Sequence, residues 1–213
     1  MTGRLRRDKQ QGQACAHIAP ASRRVLSKIV AGFCASFYAL SFSTHGIMAP
    51  VNAEGSITLE VRVAASTDDA EEKPSGSMSL TSSDLELVFD GSDQTVGMRF
   101  NAVTIPPGAA ITNAYIQFQV DEANSEVTSL VIEGEATDNA ITFSSSSGNI
   151  SSRGRTASYV SWSPVPWTTV GLAGPDQQTP NIASIIQEIV NRPGWSSGNS
   201  LVVIITGDRK SVV

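Results

Sequence analysis

Beyond residue 45 the chain has no cysteine and no histidine: Cys15, Cys34, His17 and His45 all precede that point. A domain built from the remainder has no imidazole base, no thiolate nucleophile and no disulfide, and any metal it holds is held by oxygens. Lysine is almost as scarce. Between the two ends of the chain Lys73 stands alone, which gives a Ser–Lys nucleophile poor support. Aromatic residues make up 6% of the chain, so stacking on a sugar ring would rest on very few side chains. The apolar, uncharged run Ile29 to Phe42 is too short to span a bilayer comfortably.

What is present at the N-terminus reads as an export leader over residues 1–53. Arg4, Arg6, Arg7, Lys9, Arg23, Arg24 and Lys28 face a single acid, Asp8; the apolar run follows, and Val51 and Ala53 occupy the −3 and −1 positions of a cleavage site. Ser22 to Lys28 also resembles a twin-arginine signal, with Ser27 where an apolar residue is expected. The alternatives are an uncleaved membrane anchor and a buried helix of the folded domain. The 15 basic and 20 acidic residues divide as 7 and 1 in residues 1–53 and 8 and 19 in the rest. With the leader removed the protein is strongly acidic, which disfavours nucleic acid and anionic membrane as partners. A secreted or cell-surface location is expected.

Residues 54–207 suffice for one domain core without disulfide staples. Ile57, Leu59, Val61 and Val63 alternate with Thr58, Glu60, Arg62 and Ala64, the period-two pattern of a half-buried strand. The same pattern predicts strands at Leu85–Phe89, Val96–Val103, Ala114–Val120, Val127–Ala136, Ala157–Trp162 and Leu201–Thr206. Pro106-Pro107-Gly108 and Asp90-Gly91-Ser92-Asp93 read as turns. Ile182, Ile185, Ile186, Ile189 and Val190 recur at helical spacing, with Thr179 placed to cap, Pro180 suited to the first position and Pro193-Gly194 as a stop. The expected fold is all-β, a jelly-roll-like antiparallel sandwich with one short helix.

The stretch GMRFNAVTIPPGAAITNAYIQFQVDE (Gly97 to Glu122) resembles the central signature of the disaggregatase-related, DNRLRE-type β-sandwich modules. Ser161 to Trp167 and QEIVNRPGWSSGNSLVVIITG (Gln187 to Gly207) resemble the second half of related secreted bacterial modules. The resemblance spans roughly residues 57–207. It implies an extracellular module tethered to further domains, with some relatives acting as carbohydrate-binding modules. Such modules continue past the Ile-Ile-Thr-Gly strand into one more strand, which is expected to be missing here. Asp208 to Val213 looks instead like the translation of a sequencing-adapter read-through.

Candidate chemistry is sparse. Asp68, Asp69, Glu71 and Glu72 crowd carboxylates into a presumed loop and suit a hard cation such as Ca2+, although no EF-hand spacing is present; a solvated acidic loop is the plainer alternative. For ligand binding the candidate rings are Tyr115, Tyr159 and, best placed in a loop, Trp167; Trp162 and Trp195 read as core. Arg99 lies opposite Met98 and Phe100 and is expected to pair with Glu133 or Glu135. Gln187 and Glu188 read as solvated helix surface. Nothing marks a carboxylate pair of the kind a glycosidase needs. These readings favour a non-catalytic polysaccharide-binding module, with a structural or adhesive module and a carboxylate-dependent hydrolase fragment as alternatives.

Overall fold

A computed structural model describes residues 28–35, 55–82 and 84–210. The elements in chain order are β1 (Lys28–Ala35), β2 (Gly55–Arg62), β3 (Asp69–Glu72), β4 (Met78–Ser79), β5 (Thr95–Phe100), β6 (Ala110–Gln117), β7 (Val127–Glu135), β8 (Arg155–Trp162), a 3-10 turn (Pro175–Gln177), α1 (Ala183–Val190) and β9 (Leu201–Lys210). They form two antiparallel sheets, a three-stranded one in the order β2-β1-β6 and a six-stranded one in the order β4-β3-β5-β9-β7-β8. Ile29, Ala31, Ala114 and Ile116 from the small sheet share one core with Met98, Phe100, Leu130, Ile132, Val203 and Ile205 from the large one. The fold is the expected all-β sandwich with one short helix.

Strand β9 explains its own sequence. Leu201, Val203 and Ile205 enter the common core, while Val202 and Ile204 enter a second cluster with Ala70, Ala140, Phe143 and Ile150 on the far face of the large sheet. A strand covered on both faces has no reason to alternate, hence the unbroken Leu-Val-Val-Ile-Ile. Gly97 allows this second cluster to form, because a Cβ there would stand 2.5 Å from the Phe143 ring. Gly134 does the same for the helix, whose Ile185 and Ile189 side chains come within 2.8 Å of where its Cβ would be.

Several local expectations are corrected. Leu85, Leu87 and Phe89 do not form a strand; only an isolated Phe89–Asp93 bridge closes the Asp90-Gly91 turn. The supposed acidic loop is instead strand β3, joined to β5. Thr179 does not cap α1. Its hydroxyl accepts from the Ile116 N–H at 3.0 Å and donates to the Pro180 carbonyl, while the Asn181 side-chain oxygen Oδ1 takes the Ala183 N–H at 2.9 Å. Pro180 lies before the helix, so its fixed φ serves the approach rather than the first turn. Gln187 and Glu188 are not idle surface. Gln187 accepts from the Ile111 N–H and donates to the Ala109 carbonyl, and the Glu188 carboxylate takes the Ala157 and Ser158 N–H groups of edge strand β8 at 2.7 and 2.8 Å. Desolvation raises the Glu188 pKa, but those N–H bonds outweigh it and leave the group below its ordinary value.

Of the expected leader, only Lys28–Ala35 lies within the described residues, and it is a strand. It runs between β2 and β6, antiparallel to both, with Ile29 and Ala31 in the core. Cys15, His17, His45 and the Val51/Ala53 site lie outside the described residues. At the other end Asp208 and Lys210 continue β9, in register with Ser129 and Val127 of β7; residues 211–213 lie outside.

Candidate functional site

Arg99 and the acidic segment are best taken together, because they account for each other. Arg99 is not paired with β7, which is separated from β5 by β9. Its guanidinium donates to Asp68 Oδ1 at 2.9 Å, to the Ala140 carbonyl at 2.8 Å and to Ser200 Oγ at 2.9 Å. Glu133 and Glu135 face Arg155 and Arg153 instead, at 3.9 and 2.8 Å. Asp68 therefore serves as the buried partner of a half-buried cation and also accepts from Thr142 Oγ1 at 3.0 Å.

The other three acids go separate ways. Glu72 Oε2 accepts the Ile150 and Ser151 N–H groups and so pins the loop that carries the second core cluster. Glu71 Oε1 accepts the Glu86 N–H at 2.7 Å. Asp69 is half-buried at the start of β3. Among the described residues no three His, Cys, Asp or Glu side chains gather as a metal-ligand group.

The three candidate rings are also dispersed. Tyr115 is half-buried on β6, and Tyr159 stands 64% exposed on edge strand β8. Of the three, Trp167 lines a cleft of about 220 Å³, shared with Leu85, Leu87, Phe89, Phe118, Pro164, Val165 and Pro166. Trp162 and Trp195 are core residues as expected, and the Trp195 indole donates to the Ile105 carbonyl.

The cleft is built from chain that leaves the regular strands. Beyond β6 the backbone stays hydrogen-bonded, Phe118 N–H to the Gln177 carbonyl and Val120 N–H to the Leu172 carbonyl, both at 2.9 Å. Trp167 and Asn124 exchange backbone hydrogen bonds at 2.8 and 2.6 Å. The indole N–H donates to the Asp176 carbonyl at 2.9 Å, and the ring centroid lies 5.9 Å from Phe118 and 6.1 Å from Trp162. Held at backbone, edge and neighbouring rings, Trp167 is a fixed aromatic wall with little rotamer entropy left to lose.

The facing wall, Asp84 to Phe89, is tied down from behind. Val88 is fully buried with φ +64°, a conformation that costs a β-branched residue energy. It is held by its own N–H to the Glu86 carbonyl at 2.7 Å and by the Gln94 N–H to its carbonyl at 3.0 Å. The consequence is that Glu86 and its neighbours line the cleft rather than continuing a strand.

The cleft is acidic. Asp84, Glu86, Asp121, Glu122 and Glu126 line it, and among the described residues no Lys, Arg or His does. Burial, followed by the charges of Asp84, Glu71, Asp90 and Glu122, pushes the Glu86 carboxyl up to about 7. Glu71 behind it is likewise raised, first by burial. Sequence reading missed these lining acids. Asp84 and Glu86 alternate with leucines as a strand would, and Asp121-Glu122 follows a strand as a turn would, so no spacing reports that they converge. Comparisons with protein-family models, with curated proteins and with solved structures found no match.

Proposed function

We propose that the chain is a non-catalytic polysaccharide-binding module of an exported or cell-surface protein tethered to further domains, and that the cleft at Trp167 is its binding site. The observation that carries this reading is the fixed Trp167 ring in a cleft whose other polar lining is mostly carboxylates. Pyranose rings stack their C–H faces on aromatic planes, and their hydroxyls donate to carboxylate and carbonyl oxygens. Tyr115 and Tyr159 lie outside that cleft and are assigned no part in it. Calcium support at the β3 acids finds no argument in their geometry, since Asp68, Glu71 and Glu72 are each engaged elsewhere.

The test is retention of the full chain on a panel of immobilised polysaccharides, beside Trp167→Ala. Retention of the wild type with loss of at least about tenfold in affinity for the variant, the equivalent of ~1.4 kcal/mol, is the expected result. No retention on any polysaccharide overturns the reading in favour of a structural or adhesive module. Release of new reducing ends from a retained polymer favours the hydrolase alternative, with Glu86 as the carboxyl whose raised pKa suits an acid.

A further inference from the structure

The charge of the cleft narrows its ligand. We propose that it takes a glycan bearing free ammonium groups, a polymer of amino sugars that are not N-acetylated. This rests on the cleft being a glycan site.

The site is the cleft and its aromatic wall; the acids decide which sugar it accepts. Glu86, Asp121 and Glu122 line the same cavity as Trp167, and among the described residues no cation lines it with them. Lys73 reaches Asp90 at 3.5 Å, with both side chains about half exposed. Low-dielectric walls focus the field of like charges into a cleft, so the potential is most negative where the ligand sits. A uronate or sulfated polymer meets repulsion there. A neutral polymer meets acceptors but nothing that needs a positive charge.

An ammonium group is the chemical complement. It offers three donors and no acceptor to carboxylates that offer acceptors only. Against Trp167 it gains a cation–π attraction. At the rim, Gln119 Nε2 already donates to the Gly171 carbonyl at 3.1 Å, which leaves it poorly placed to donate to an acetamido carbonyl. The crowding that raises Glu86 acts in the same direction, because a bound cation relieves the repulsion from Asp84, Glu71, Asp90 and Glu122 and restores the ionised carboxylate. A metal ion is a weaker candidate for that role, since no three ligand side chains come together among the described residues.

Calorimetric titration of the full chain with hexamers of glucosamine, N-acetylglucosamine and glucose, and with hexalysine, tests this at roughly pH 6, just below the raised Glu86 pKa. The glucosamine hexamer should bind at least about tenfold tighter than either other sugar, and the preference should collapse between roughly 0.02 and 0.5 M salt. Asp121→Asn with Glu122→Gln should remove the preference and leave the weak binding of the neutral sugars. Equal or tighter binding of the neutral sugars overturns the inference and leaves the glycan site standing. Hexalysine binding as tightly as the glucosamine hexamer overturns the choice of a sugar. Failure of every sugar to bind overturns the glycan site itself.

Discussion

Two carboxylates show how one residue type takes opposite roles. Glu188 is held ionised by two N–H donors, whereas burial first, and then crowding by neighbouring carboxylates, pushes Glu86 up to about 7. The folded-state pKa of Glu86 lies above its ordinary 4.5, so its contribution to stability is whole below pH 4.5 and is lost as pH rises through 7. Glu86→Gln removes the repulsion without removing the side chain. It should leave the melting temperature at pH 5 nearly unchanged and raise it by a few degrees at pH 8; an equal shift at both pH values would show that the carboxylate is not crowded. Arg99 makes the complementary prediction. Arg99→Ala strands buried Asp68 and should cost about 3–5 kcal/mol in denaturant unfolding, with Arg99→Lys intermediate because it cannot reproduce the fork of three acceptors. A loss below about 1 kcal/mol, typical of exposed pairs, would contradict the buried network.

Among the elements, strands with one wet face were legible and those with two dry faces were legible as apolar runs. The helix was legible from its isoleucine spacing, and its start was misread because Thr179 spends its hydroxyl on Ile116 of β6 and the Pro180 carbonyl, while Asn181 takes the first helical N–H. The Leu85–Phe89 pattern misled because a positive φ at Val88, which no side-chain pattern announces, turns the segment out of the sheet. Strand β1 poses the sharpest question. It hydrogen-bonds β2 along one edge and β6 along the other, so cutting after Ala53 removes the middle of the small sheet. A chain beginning at residue 54 should expose two strand edges, lose thermal stability and aggregate, and a peptide of residues 28–35 added in trans should restore both properties. Unchanged stability of the shortened chain would mean that β1 is dispensable, as an export leader must be.

Across the whole molecule, composition spoke about what is absent and topology about what is assembled. The lack of histidine and cysteine beyond residue 45 confines any chemistry of that part to oxygens and rings, and Trp167 was already the preferred ring. The acids of the cleft came from segments far apart in the chain, near residues 84–86 and 121–126, and only the closing of the sandwich puts them in one cavity. The acids that sequence crowding singled out are instead spent on Arg99 and on backbone N–H groups. Removal of divalent ions with a chelator should accordingly leave the melting temperature where it was; a fall would restore a metal to β3.

The measurement closest to the central claim follows the three indole N–H resonances, of Trp162, Trp167 and Trp195, while a retained oligosaccharide is titrated into isotope-labelled protein. Trp167 should shift in a saturable way, with Trp195, whose indole is buried against Ile105, unmoved. With the ring resonances of Tyr115 and Tyr159 followed in the same titration, a saturable shift confined to either of them, with Trp167 silent, would contradict the assignment of the cleft.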